Sequence, residues 1–310
     1  MELYKKYRPK NLSELIGQDS SVRTLQSFLK GKKVPHAILL TGPSGCGKTT
    51  AARILRRSLG CNKSDYQEIN SAEARGIDTI RDIHRRLGLA PVSGSCRIWV
   101  LDEVHKLTGD AQTALLKTLE DGPSHVYFML ATTDPHKLLP TIKTRCTEIK
   151  MRMLTQEELC ELIADVIGKE TGVDGVKWTG GNGVIEKIAE VADGSARKAL
   201  VLLGQVIALD PKDQMDAIQK ADVKKQAIEL ARELINPRGD WKKCAAILKD
   251  LEDDPEGVRR MILAYANSVL LGGGGLMNRA YLILECFSSP VWEMGKPGLT
   301  RAAYEVFSQK

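Results

Sequence analysis

Residues 42–49 read Gly42-Pro43-Ser44-Gly45-Cys46-Gly47-Lys48-Thr49, a complete G-x-x-x-x-G-K-[ST] loop. No other part of the chain constrains its fold as strongly. Such a loop needs a buried strand before it and a helix after it. The apolar run Ala37-Ile38-Leu39-Leu40 supplies the first, and residues 50–58, rich in Ala and Arg, supply the second. The glycines let backbone N–H groups turn inward around a polyphosphate. The helix N-terminus adds a partial positive charge that faces it. The spacing predicts Lys48 at the terminal phosphates and the Thr49 hydroxyl on Mg²⁺. The candidate nucleotide contacts are Gly42, Pro43, Ser44, Gly45, Cys46, Gly47, Lys48, Thr49 and, at the mouth of the helix, Thr50.

The rest of the chain repeats the alternation that the loop begins. Strand-like runs lie at 37–40, 66–69, 98–101 and 126–130, with a last one at 147–153. The run at 66–69 is the weakest, being apolar only at its ends. Helical patterns fall between them, at 22–30, 49–59, 76–87 and 109–120. Strands alternating with helices imply an α/β fold with a parallel sheet covered on both faces. Beyond residue 153 the pattern becomes helical. Thr155 is an N-cap candidate for a helix at 156–167, with Glu157 and Glu158 in its first turn, and helices follow at 183–192 and 196–208. Asp210-Pro211-Lys212-Asp213 reads as a break, followed by helices near 214–234, 241–251 and 255–271 and more after Asn278. Three parts are expected: a nucleotide domain at 1–153, a helical lid at 154–210 and a helical domain at 211–310.

Composition narrows the partners. The 310 residues are 43% hydrophobic and 27% charged, which is ordinary for a globular protein with a sizeable core. A net charge of +6 permits a polyanionic partner, or merely a solvated basic surface, and 5% aromatics argues against base-stacking platforms. The seven cysteines include no C-x-x-C and no two closer than fourteen positions, so no zinc cluster is expected. Their odd number and scatter, with no apolar stretch near the N-terminus, point to a reducing compartment, the cytoplasm or nucleoid. No apolar run approaches the ~18 residues of a membrane span.

The second chemical signal is Ile98-Trp99-Val100-Leu101-Asp102-Glu103-Val104-His105, an apolar strand ending in two acids. Alone it also suits a solvated turn. Downstream of a phosphate loop, it predicts Asp102 as a second Mg²⁺ ligand and Glu103 as the group that orients and polarises an attacking water.

With these residues in order the chain resembles the AAA+ clamp-loader ATPases, the bacterial gamma/tau subunits and the small subunits of replication factor C, over about residues 4–205. Tyr7-Arg8-Pro9 and Ile16-Gly17-Gln18 match boxes that surround the adenine in that family. Residues 112–120, Gln112 to Glu120, resemble the helix whose glutamine is thought to link DNA to the ATP site. Leu130-Ala131-Thr132-Thr133 resembles sensor 1, with Thr133 near the γ-phosphate, and residues 194–200 resemble the sensor 2 helix, with Arg197 at its arginine. Thr144-Arg145-Cys146 stands where the family has Ser-Arg-Cys, which makes Arg145 an arginine finger acting in trans on a neighbour's site.

Two departures qualify the likeness. The gamma/tau subunits carry a four-cysteine zinc module between the phosphate loop and the acidic box, whereas this chain has only Cys61 and Cys96 there. Residues 71–81 look more like replication factor C, where arginines spaced as Arg75 and Arg81 contact the DNA backbone. Asp78 and Asp82 equally suit helix-surface ion pairs with Arg81, Arg85 or Arg86.

The resemblance implies an ATPase subunit that loads a sliding clamp onto primer–template DNA, using ATP and Mg²⁺. Other loader subunits are implied as partners, in a pentamer holding several copies of this chain. Two rivals remain: another AAA+ DNA machine, such as a branch-migration or recombination-linked ATPase, and a scaffold that binds nucleotide without hydrolysing it.

Overall fold

The computed structural model describes residues 2–31, 33–173, 178–251, 255–291 and 294–309, apart from the side chains of 212 and 219–225. The chain begins with the helices α1 (Leu3–Lys6) and α2 (Asp19–Lys30). Strands β1 (Ala37–Thr41), β2 (Tyr66–Asn70), β3 (Arg97–Asp102), β4 (Val126–Thr132) and β5 (Thr147–Lys150) then alternate with α3 (Lys48–Ser58), α4 (Ile77–Arg85), α5 (Gly109–Glu120) and α6 (Pro140–Arg145). The strands form one parallel sheet in the order β2-β3-β4-β1-β5.

Side chains alternate across a strand, so each strand feeds two cores. Ile38, Leu40, Val100 and Met129 pack with Leu25 of α2 and Ala51 and Leu55 of α3. Leu39, Trp99, Leu101 and Phe128 pack with Ile80 and Ile83 of α4, Leu115 of α5 and Ile142 of α6. Covering both faces explains why β1 is buried throughout and reads as an unbroken apolar run. β2 is an edge strand with mostly exposed side chains, which is why its sequence signal is faint. The last strand stops at Lys150, short of the expected 153, although Met151 N still donates to Thr41 O at 2.7 Å.

β4 lies between β1 and β3. The ends of these three strands therefore place the phosphate loop, the residues after Thr132 and the Asp102–Glu103 pair side by side at the carboxyl edge of the sheet. Ligands of open α/β sheets bind at such an edge.

Three helices follow: α7 (Gln156–Glu170), α8 (Asn182–Ala192) and α9 (Ala196–Val206). Thr155 caps α7 as expected, accepting from Glu158 N while the Glu158 carboxylate accepts from Thr155 N. Ser195 caps α9 through Lys198 N. The short α1, too short for periodicity to reveal, packs on α9, and its Lys6 pairs with buried Glu170 of α7 at 2.8 Å.

Residues Met1–Pro211 form one compact unit and Lys212–Lys310 another. The second holds most of α10 (Pro211–Ile235), with α11 (Trp241–Asp250), α12 (Pro255–Leu271), α13 (Met277–Cys286) and α14 (Gly295–Ser308). The two units divide within the break expected at 210–213, and a helix begins there. Pro211 is the first helical residue, where its missing N–H and fixed φ cost nothing. Leu230, Leu234, Cys244, Ile262, Phe287 and Leu299 are among the side chains that close this unit's own core.

Candidate active site

A cavity of about 650 Å³ opens at the carboxyl edge of the first unit's sheet. It is lined by the loop from Ser44 to Thr50, by Asp102 and Glu103, by Tyr7, Arg8, Pro9 and Ile16 from the N-terminal boxes, and by Arg197. Gly42, Pro43, Gly17 and Gln18 are not among its lining residues. Gly42 and Pro43 act from behind: their carbonyls each accept from Lys48 Nζ at 2.7 Å. Gln18 is buried and clamps the backbone of Arg152, donating to its carbonyl at 2.8 Å and accepting from its N–H at 3.1 Å. Gly17 has φ +68°, and a Cβ there would lie 2.5 Å from Leu154 and 2.6 Å from the Glu158 carboxylate. This box thus ties the end of the sheet to α7.

Within the loop, Gly45 has φ +82°, and a side chain there would meet Ser195 Oγ at 2.1 Å, so only glycine lets α9 approach so closely. Lys48 opens α3 and is buried, and burial pushes its ammonium below the usual value. Its bonds to loop carbonyls keep a desolvated cation satisfied. Burial also pushes the Cys46 thiol up, so it stays protonated and chemically quiet.

Thr49 Oγ1 donates to Asp102 Oδ2 at 2.8 Å, while Asp102 Oδ1 accepts from Glu103 N at 3.0 Å. The carboxylate is thereby fixed with one oxygen beside the threonine hydroxyl. Two hard oxygen donors this close, at the foot of a phosphate loop, fit a magnesium ion. Glu103 adopts a left-handed backbone, φ 52° and ψ 39°, uncommon for a residue with a side chain. Its Oε2 accepts from Thr133 Oγ1 at 3.4 Å and faces His105 Nε2 at the same distance, 3.4 Å. Arg197 faces the cavity from α9 with its guanidinium 5.8 Å from the ring of Tyr4.

Known proteins fit this arrangement. The DNA polymerase III, delta subunit family matches residues 62–155, and the Rad17 P-loop domain family matches residues 1–85. The Bacillus subtilis DNA polymerase III subunit tau is 36% identical over 227 residues, which is 66% of this chain and 39% of that protein. The Mycobacterium tuberculosis gamma/tau subunit is 33% identical over 67% of this chain and 39% of its own length. The Buchnera aphidicola gamma subunit is 32% identical over 67% of this chain and 61% of its own. Over about two thirds of its length, the chain is similar in sequence to the gamma/tau subunits of DNA polymerase III. It spans only about two fifths of the first of these relatives, 39%. Among solved structures, the Thermotoga maritima RuvB Holliday junction branch migration motor superposes with a TM-score of 0.55 at 23% identity, covering 84% of this chain and 91% of that one. A variant of the same protein gives 0.56 at 21% identity, covering 78% and 86%. At that identity the likeness is one of fold.

The remaining expected site residues stand away from the cavity. Arg145 ends α6 and is held by Glu120 at the end of α5, its Nε donating to Glu120 Oε1 at 2.5 Å and its Nη1 to Thr141 O at 3.3 Å. Gln112, buried at the start of α5, accepts from Leu139 N at 3.0 Å and donates to Lys137 O at 3.3 Å and Leu107 O at 3.4 Å. It thus joins the segments that follow β3 and β4. Arg75 donates to Ala72 O at 2.7 Å just before α4. Arg81 pairs with Asp78 at 3.3 Å, and Arg85 and Arg86 pair with Asp82, so the surface ion pairs foreseen along this helix do form. Three contributors are read from the sequence without a role of their own: His105, at the end of the acidic motif, Tyr4 and Glu120. Each matters through a partner distant in sequence or on another element.

Proposed function

We propose that the chain is an ATPase subunit of a DNA polymerase sliding-clamp loader, coupling ATP binding and hydrolysis to placement of the clamp on primer–template DNA during replication. One observation carries this beyond the sequence likeness. Thr49, Asp102, Glu103 and Thr133 form a complete constellation at one sheet edge, while Arg145 sits outside the cavity of its own chain. Such a chain offers its ATP to one neighbour and its arginine to another, as a repeated position in a ring demands. The parts in this reading are the nucleotide domain at 1–153, the lid at 154–210 and an oligomerising collar at 211–310.

The triphosphate lies along the N–H groups of the loop, and Lys48 exchanges two carbonyls for the terminal phosphates. Thr49 and Asp102 hold Mg²⁺, which when bound offsets charge on the phosphates. Glu103 orients the attacking water, with Thr133 and Arg197 facing the γ-phosphate. The box from Tyr7 to Pro9 borders the adenine. Arg145 of a neighbouring copy stabilises charge on the transferring phosphoryl group. Arg75 and Arg81 meet the duplex backbone, and Gln112 relays its presence to the site. Assembly is pentameric, in the cytoplasm or nucleoid, with several copies of this chain. Among the described residues no helix is long and apolar enough to cross a membrane.

ATP hydrolysis measured alone, with primed DNA, and with primed DNA plus clamp tests the reading. Stimulation that needs both supports it. Turnover driven by branched DNA without a clamp points to a remodelling motor, and nucleotide binding without turnover to a scaffold. RuvB-like geometry lends the motor reading its fold only, and the sequence relatives do not favour it.

A further inference from the structure

The partly exposed Glu103 carboxylate is backed by a small buried cluster that the reaction as outlined does not use. His105, in the turn Val104–Lys106 after β3, has an imidazole only 4% exposed. Its Nδ1 lies 3.0 Å from Thr132 Oγ1, at the fully buried end of β4. That hydroxyl already accepts from Asp134 N at 3.0 Å. The other imidazole nitrogen, Nε2, faces Glu103 Oε2. A carboxylate only accepts, so Nε2 carries the hydrogen and Nδ1 accepts the Thr132 proton, which its bond from Asp134 leaves available. Burial keeps the ring neutral by pushing its pKa below the ordinary histidine value. One line of contacts therefore runs from the backbone after β4, hydrogen-bonded through Thr132 to His105 and closed by the 3.4 Å approach of Nε2 to the acid after β3. The left-handed backbone of Glu103 is the strained point on that line, and such strain gathers where a side chain must be aimed.

We propose that His105 is a positioning residue for hydrolysis: its Nε2–H holds the Glu103 carboxylate against the Thr133 hydroxyl, where an attacking water must be met. The inference rests on the reading of Glu103 as the water-orienting group. His105 never touches nucleotide; it acts through Glu103. A merely architectural role needs only the bond to Thr132, whereas positioning needs the bond to Glu103.

The two ring nitrogens can be replaced separately. In His105→Asn the side-chain amide can replace Nδ1 at Thr132 but is too short to reach Glu103. In His105→Gln it can reach Glu103 and gives up Thr132. ATP hydrolysis, ATP affinity and thermal stability are measured on the full chain assembled with its native partners. His105→Asn is expected to lower kcat by about 10²-fold, the scale of a group misplaced by about 1 Å, with ATP affinity and melting temperature unchanged. His105→Gln is expected to keep most of kcat while melting earlier. Adding His105→Asn to Glu103→Gln should slow turnover no further. The reverse pattern, full kcat in His105→Asn, or additive losses in the double variant overturn the proposal. Parent-like hydrolysis by Glu103→Gln alone overturns the underlying reading instead, so the two failures are distinguishable.

Discussion

The nucleotide cavity and the core of the second unit bury charge in opposite ways. In the second unit, Glu256 and Arg259 are both buried and close on each other. Arg259 donates to Glu256 at 2.7 and 2.8 Å and to Phe287 O at 2.6 Å, and Glu256 also accepts from Val291 N at 3.0 Å. These contacts are made within the chain, so the network pins α12 to the end of α13. At the carboxyl edge of the sheet, Lys48 rests on backbone carbonyls and Glu103 on two contacts of 3.4 Å. Those groups are satisfied but not saturated, and all face one cavity. A closed network makes a stable scaffold; an open one leaves its charge available to a ligand.

The sharpest way to break the comparison is to remove charge from the open side. Arg145→Ala should leave ATP affinity near the parent's while assembly-dependent hydrolysis falls by roughly 10³–10⁵, the range for arginine fingers. Mixing Arg145→Ala with Lys48→Ala subunits should recover part of the rate, because an intact finger then meets an intact site. No recovery in mixed assemblies of proven stoichiometry would rule out a shared site.

Glu103→Gln should lower turnover by roughly 10²–10⁴, as expected for a general base, and still bind ATP and hold the clamp. Single-turnover hydrolysis and clamp capture on primed DNA check both halves. Lys48→Ala should differ by losing ATP binding itself.

On the closed side, Glu256→Gln should leave ATP binding untouched and lower the melting temperature by several degrees, since Arg259 loses its buried counter-charge. The acid limb sharpens this. Hydrogen bonds from Arg259 hold the Glu256 carboxyl down to about 2 from an ordinary 4.5. A depressed carboxyl contributes stability that is complete above its unfolded value and is lost as the pH falls toward the folded one. Stability should therefore drop between about pH 4.5 and 2, and Glu256→Gln should flatten that dependence. An unchanged acid limb would mean that the pair does not control this unit.

The smallest effects belong to Arg75 and Arg81. Arg81 is well exposed and its pair with Asp78 is worth little, so it is free to exchange that partner for a phosphate. Neutralising either arginine should weaken all duplex sequences equally and lower the salt slope of binding by about one. Full DNA stimulation with an unchanged slope would leave both as helix-surface ion-pair partners.

Much of the fold was legible because its signals are local. The loop's glycines, the capping box at Thr155 and the apolar runs of the central strands each express a preference within a few residues. β2 was faint because an edge strand has little to bury, and α1 and α6 are too short to show a period. At Pro211 the same residue that breaks a helix interior begins one, and only the chain around it decides which. Gln18 shows the matching limit at the site: within a box expected at the adenine, Ile16 lines the cavity while Gln18 holds the backbone of Arg152.

By itself, the sequence determined which groups are proposed to carry the chemistry: a lysine and hydroxyl at a glycine loop, two acids closing a strand, an arginine before a cysteine. These follow from backbone geometry and charge at fixed spacing. Only the tertiary structure decided which of them meet. The order β3-β4-β1 brings Thr132 and Thr133 to His105 and Glu103, nearly thirty positions earlier in the chain, and places Arg145 on Glu120 instead of in its own cavity. Strand order is set by how two cores close over a twisted sheet, a global balance of burial that no single stretch of the chain encodes.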